Sequence, residues 1–372
     1  MTDYSFSSLF VTTRSSSGDT KGQTGRLVGL HGLRAVATLA VVANHSMDHM
    51  SWMGEWRMPF FFVLSGFLLG RILLKARVDT ERRGVDRAGV LIAFYGRRSL
   101  RLLPPLFLTI LVAKAFTWSS GESVLWHLLQ STNLYLAEQN DMVAGSLNHL
   151  WSLNVEEQFC LVLPLILLVT PIARIPVLIA GLWLASLASV LVLTHLDVLP
   201  VLAPSWLHSF ATGLMLACLQ KPSLWRWNWG RWGMGLLFAG MACVTLWRMA
   251  PSLAWPEIGK AVAIDGVIVM VIIAVANGVV PSVAALLEAQ SLRSIGEMSY
   301  GVYLYHLPIL GILTRVMLHV GHPLQHGLGA FLLTLALTLP AAALSWRFLE
   351  QPLLLFRNRL WPSPGATGSR AM

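Results

Sequence analysis

Long apolar runs separated by short polar connections recur from one end of the chain to the other, and the runs have the length of helices. Ten of them approach the roughly 20 residues needed to cross a bilayer: 28–49, 58–74, 100–118, 150–170, 175–194, 204–220, 232–250, 259–280, 297–318 and 327–347. A transmembrane β-barrel would alternate apolar and polar positions over segments of about ten residues, a pattern the chain lacks. The polar connections sort by sign. One set carries Arg14, Lys21 and Arg26, then the block from Lys75 to Arg101, Arg174, Lys221 with Arg226 and Arg231, Arg293, and Arg357 with Arg359. The other carries Asp48 with Glu55, then Glu122, Glu138 and Asp141, then Asp197, with no lysine or arginine from Trp118 to His149. Lysine and arginine favour the cytoplasmic side. The pattern therefore predicts an all-α, polytopic membrane protein, a bundle of about ten transmembrane helices with both termini cytoplasmic.

Composition agrees. Of the 372 residues 12% are charged, about half the share of a soluble domain. The mean hydropathy is +0.63. The net charge of +9 fits basic cytoplasmic loops beside a lipid bilayer better than a nucleic-acid partner, and none is expected. Residues 1–26, rich in Ser, Thr and Gly, lack the order of a signal peptide and read as a disordered cytoplasmic tail. Residues 27–353 then form the membrane domain and 354–372 a cytoplasmic C-terminal tail. Cys160, Cys218 and Cys243 sit in or beside apolar segments without paired or ligand spacing.

Ionisable groups inside apolar helices point to chemistry, because they are costly there. The first span, "GLHGLRAVATLAVVANHS", carries Arg34 and His45 about three helical turns apart, on one stripe with Thr38 and roughly 16 Å apart along the axis. A snorkelling arginine and an interfacial histidine would explain the pair equally well. The second span, "MPFFFVLSGFLLGRILL", holds Pro59 and the Ser65-Gly66 pair, which permit close helix packing. After it, "FYGRRSLRLLPPLFL" sets Arg97, Arg98 and Arg101, with Tyr95 beside them, at the mouth of the third span. Guanidinium groups there suit phosphate through two-pronged hydrogen bonds, or simply orient the span and hold lipid headgroups. The fourth span, "HLWSLNVEEQFCLVLP", has Glu156 and Glu157 about a turn inside. One of them, at a depth similar to His45, would orient that imidazole as a general base. In "IGEMSYGVYLYHLPIL" Ser299, Tyr303 and His306 share a stripe, and Pro308 opens the helix just after His306. A hydrogen-bonded core stripe is the alternative. His319, His322 and His326 have usable spacings, but without a carboxylate or cysteine nearby no metal is expected.

Taken in order, "GLRAVATLAVVANH" with its Arg-x10-His spacing, "FFFVLSGFLL", "RRSLRLLPP", "WSLNVEEQF", "SYGVYLYHLP" and "FLEQP" resemble the acyltransferase-3 family of integral membrane O-acyltransferases, over about residues 28–352. The resemblance implies a multi-pass protein of the bacterial inner membrane that moves an acyl group, usually acetyl, from cytoplasmic acyl-CoA to a hydroxyl of a carbohydrate, exported glycan or natural product. It implies His45 as the essential histidine and Arg34 as its paired basic residue. It further implies Arg97, Arg98 and Arg101, with Tyr95, as the group binding CoA, and Glu156, Ser299 and His306 as further polar site residues. Many members have an acidic residue or Asn where this chain has His31, so a partner for Arg34 is expected elsewhere. Some members append an extracellular hydrolase-like domain; here the expectation is the membrane step alone, or a reaction complete in one domain. A transporter using Arg34, His45 and Glu156 as a proton relay is the alternative, although the inverted repeats common in transporters are not found.

Overall fold

A computed structural model describes residues 29–47, 51–116, 124–142, 145–219 and 257–361. The expected tail 1–26, the expected span 232–250 and residues 362–372 lie outside them. Among the described residues every regular element is a helix. They are labelled in chain order as α1 (Leu30–Ser46), α2 (Ser51–Arg83), α3 (Arg87–Phe116), α4 (Val124–Leu128), α5 (Thr132–Gln139), α6 (Leu150–Val169) and α7 (Ile175–His195). There follow α8 (Leu207–Cys218), α9 (Glu257–Ala276), α10 (Pro281–Leu287), α11 (Gln290–Glu297), α12 (Ser299–His319), α13 (Leu328–Ser345) and α14 (Gln351–Leu360).

Among the described residues seven helical stretches are long and apolar enough to cross a membrane, the first Gly54–Arg83 and the last Leu328–Arg357. This makes the chain a multi-pass membrane protein. At two further expected spans the structure has helices short of that length: α1 has 17 residues and α8 has 12. At 1.5 Å per residue α1 is about 25 Å long. Apolar side chains such as Leu111, Val177, Leu184 and Phe348 point outward, each more than half exposed, as a lipid-facing surface requires.

The long helix α2 is the hub. It runs against α8, and also touches α1, α6 and α9. The α2–α8 contact is close because both helices present glycine there. A Cβ on Gly66 would stand 2.2 Å from the Phe210 carbonyl oxygen, and one on Gly213 would stand 2.0 Å from that of Val63. The aromatic ladder Phe62–Phe210–Phe159, with centroids 4.7 and 4.0 Å apart, fills the space between α2, α8 and α6.

Several buried polar side chains tie the helices to one another. Asp265 of α9 accepts from Ser209 at 2.7 Å and bonds His208 Nδ1 at 2.8 Å, joining α9 to α8. The Thr132 backbone N–H donates to Asn154 at 2.8 Å. Asn133 and Gln158 exchange amide hydrogen bonds, tying α5 to α6.

Helix runs further toward the C-terminus than the expected domain boundary at 353. A single π-helical turn, Trp346–Glu350, joins α13 to α14, so helix continues past residue 353. Arg97 Nη2 donates to the Trp361 carbonyl at 2.6 Å. Residues 354–361 are thus packed structure rather than tail.

Candidate active site

Two cavities among the described residues bring the expected site residues together. One encloses about 1380 Å³ of empty space, counted out through its open mouth. Its wall carries five arginines, Arg34, Arg97, Arg98, Arg101 and Arg357, against one carboxylate, Glu156. Ser65, Ser299, Tyr300 and an apolar wall from α2 complete it. The second, of about 550 Å³, is lined by His45, Arg57, Asn148, His149 and Trp151 among others. Met58 and Tyr303 line both cavities, so the two spaces meet at these side chains.

The expected site residues divide between the two. Arg34, Arg97, Arg98, Arg101, Glu156 and Ser299 come together in the arginine-lined cavity. His45 faces the other, with His306 behind it. Arg34 and His45 reach different cavities because α1 carries them about three turns apart on one stripe; Thr38 between them is buried and donates to the Arg34 carbonyl at 2.8 Å. Tyr95 is not among the lining residues, and its hydroxyl donates to the Leu161 carbonyl at 2.6 Å.

The carboxylates do not stand where the sequence reading set them. Arg98 donates to both oxygens of Glu157, the shortest contact being 2.6 Å, and to Glu156 at 3.1 Å. Three clustered guanidinium groups in a low-dielectric bundle need nearby countercharge, and α6 supplies it. Neither carboxylate is a hydrogen-bond partner of His45. Glu156 is instead within electrostatic reach of Arg34, which answers the question left by His31. Ser299 is buried, and its hydroxyl has no hydrogen-bond partner.

Histidines replace the carboxylate beside His45. His306 Nδ1 lies 2.6 Å from the Tyr303 carbonyl, which can only accept, so Nδ1 carries the proton. His306 Nε2 then has a lone pair, and His45 Nδ1, 2.9 Å away, must donate to it. His45 Nε2 is left as the acceptor, and Arg57 Nη1 donates to it at 2.9 Å. A backbone carbonyl at one end and a guanidinium at the other thus assign every proton in the chain. The two rings lie nearly parallel, with centroids 5.1 Å apart.

Pro308 explains how a third ring joins. Lacking an N–H, it leaves the Leu304 carbonyl without its helical donor. His149 Nε2 occupies that acceptor at 3.2 Å. The Tyr303 hydroxyl donates to the His149 carbonyl at 2.5 Å and lies 2.6 Å from Ser152 Oγ.

Three contributors escaped the sequence reading. Arg57 sits one residue before the expected start of its span. His149 reads as a loop residue. Arg357 reads as part of a tail, yet lines the larger cavity. A histidine one turn or less from a helix-opening proline's free carbonyl was the only sequence signal for such a cluster, and it pointed to His306 alone.

The model of a family described as "Acyltransferase domain" (acyltransferase-3) matches residues 27–347. The chain is 30% identical to "Peptidoglycan O-acetyltransferase OatA" of Listeria monocytogenes, over 87% of this chain and 55% of that one. It is 24% identical to "O-acetyltransferase OatA" of Staphylococcus aureus, over 88% of this chain and 57% of that one. The chain therefore spans a little over half the length of these curated relatives. No solved structure gives a significant match. The chain belongs to the acyltransferase-3 family.

Proposed function

We propose that this member of the acyltransferase-3 family is a membrane O-acyltransferase that carries an acyl group, acetyl by preference, from cytoplasmic acyl-CoA to a hydroxyl of an exported glycan. The observation that carries the reading is the meeting of two unlike cavities at Met58 and Tyr303, one lined by arginines and one by the His45 relay. The arginine-lined cavity faces the cytoplasm and holds the CoA phosphates through Arg97, Arg101 and Arg357. Arg98, pinned by Glu156 and Glu157, contributes field and shape more than direct contact. The pantetheine arm lies along the apolar wall of α2 and presents the thioester at Met58 and Tyr303. The glycan enters the histidine-lined cavity from the opposite face. A peptidoglycan fragment, the acceptor in the name of the Listeria relative, is the first to test.

His45 Nε2 takes the proton of the acceptor hydroxyl as its oxygen attacks the thioester carbonyl. The C–S bond breaks and the CoA thiolate leaves. The proton on His45 returns to that thiolate directly or through His306. Ser299, with its unused hydroxyl, and Tyr303 are donors on hand for the tetrahedral oxyanion.

The test uses the full chain in nanodiscs with labelled acetyl-CoA and peptidoglycan fragments. CoA release should equal acylated product. His45→Ala should lower the rate at least about 100-fold. An unchanged rate overturns the base assignment. Replacing Arg97, Arg98 and Arg101 together by Gln should raise KM for acetyl-CoA at least tenfold, and an unchanged KM overturns the donor site.

A further inference from the structure

The histidine-lined cavity holds one group that a plain hydroxyl acceptor does not need. Arg57 is a half-buried guanidinium, and its hydrogen bond to His45 Nε2 occupies the lone pair that the base must use. Among the described residues no carboxylate pairs with it. The nearest acidic residue in the chain, Glu55, is bridged to Lys260 at 3.3 Å. Arg57 Nε is buried without a hydrogen-bond partner. With Nη1 on His45, the edge formed by Nε and Nη2 is a vacant two-donor fork.

Two consequences follow. His45 cannot accept a proton at Nε2 until Arg57 lets go. A neutral ligand offers nothing to draw it away, because leaving the imidazole would strand a cation in a low-dielectric pocket. A carboxylate does, since charge-assisted two-pronged bonds to guanidinium are roughly twice as strong as neutral ones. Beside this fork stands an acceptor: His149 Nε2 donates to Leu304, so Nδ1 keeps its lone pair, and that atom is buried with no partner. The cavity wall therefore offers a carboxylate fork and a hydroxyl acceptor next to the base.

We infer that Arg57 recognises a carboxylate on the acceptor: the histidine-lined cavity takes a carboxylate-bearing sugar, and the arriving carboxylate turns the guanidinium off His45 Nε2 and frees the base. This rests on the acyl-transfer reading for the identity of the base, but the binding it asserts can be measured without turnover.

The experiment compares methyl glucuronide with methyl glucoside, which differ only in the carboxylate. Binding of each to the full chain in nanodiscs is measured by calorimetry, and the His45 ring nitrogens are followed by ¹⁵N NMR. The glucuronide should bind at least tenfold tighter and shift the Nε2 signal of His45; the glucoside should leave that signal unmoved. Arg57→Gln should bring the two affinities within twofold, and Arg57→Lys, which keeps charge but not the fork, should retain part of the preference. Equal affinities in the wild type, no glucuronide binding, or a preference that survives both substitutions overturns the inference. Acetyl-CoA-dependent CoA release, assayed in parallel, separates the two ideas: glucuronide binding without CoA release under any acceptor leaves the carboxylate site standing and sinks the acyl-transfer reading.

Discussion

His45 is set up by its neighbours rather than by a carboxylate. His306 takes the Nδ1 proton and thereby holds the ring and its tautomer. If His45 acts as the proposed base, replacing His306 by Ala should lower kcat by about 100-fold by leaving that ring misplaced. KM for acyl-CoA should not change, because His306 is not among the residues lining the arginine-rich cavity. The ¹⁵N signals of His45 in the folded protein distinguish this from a general loss of fold: misplacement changes its tautomer signals, whereas a smaller active fraction leaves them unchanged in the protein that remains folded. A second histidine reports on pH. His127, in the short helix α4, bonds Thr132 at 2.8 Å, and burial lowers its pKa from 6.5 to about 4. The unfolded segment takes up a proton from about pH 6.5 downward, whereas the folded segment resists until about pH 4. Its contribution to stability is thus complete above pH 6.5 and is lost progressively between there and pH 4. Hydrogen exchange in 124–139, corrected for intrinsic rate, should be faster at pH 5 than at pH 7, and His127→Gln should flatten that difference.

At this scale the sequence was partly legible. Ionisable residues in apolar helices stand out, so Arg34, His45, Ser299 and His306 could be singled out, and their burial follows from the same helical stripes. The partners could not be read. Depth along two different spans does not say which groups meet, and Glu156 and Glu157 answer the stronger demand of Arg98. Arg57 was hidden because a polar residue at the edge of an apolar run reads as the end of the span, whereas α2 continues outward to Ser51.

Helices are held here by close backbone approach and by a few buried polar clusters. The Gly66–Gly213 contact leaves no room for a methyl group. Gly66→Ala should force α2 and α8 apart and lower stability by about 1–3 kcal/mol, read as a drop in Tm in detergent, and it should disturb the apolar wall beside Ser65. Asp265 anchors α9 through His208 and Ser209. Asp265→Ala removes the centre of that cluster and should destabilise by about 3–5 kcal/mol, while Asp265→Asn, which keeps acceptor oxygen and shape, should lose less. Existence of the long helices was legible from run length alone, because lipid requires about 20 apolar residues per crossing. The continuation of α13 through a π turn into α14 was not. Pro352, Arg357 and Arg359 read as an ending, and only the packing of Trp361 against Gly96 shows why the segment stays helical and ordered.

For the molecule as a whole, the alternation of basic and acidic connections argues for both termini on the cytoplasmic side. Reporter fusions after residues 26 and 361 should both read cytoplasmic; opposite readings would turn the arginine-lined cavity outward and remove cytoplasmic acyl-CoA as donor. Met58 and Tyr303 are common to both cavities, and in the proposed two-sided arrangement these two side chains separate the donor space from the acceptor space. Substituting Met58 by Gly, or Tyr303 by Ala, should therefore make vesicles containing the protein leak protons, seen with an entrapped pH dye, where the wild type holds its gradient. In the proposed mechanism the thioester hands over its cargo at these same two residues, so electrical insulation and traffic in acyl groups would both rest on one narrow seal.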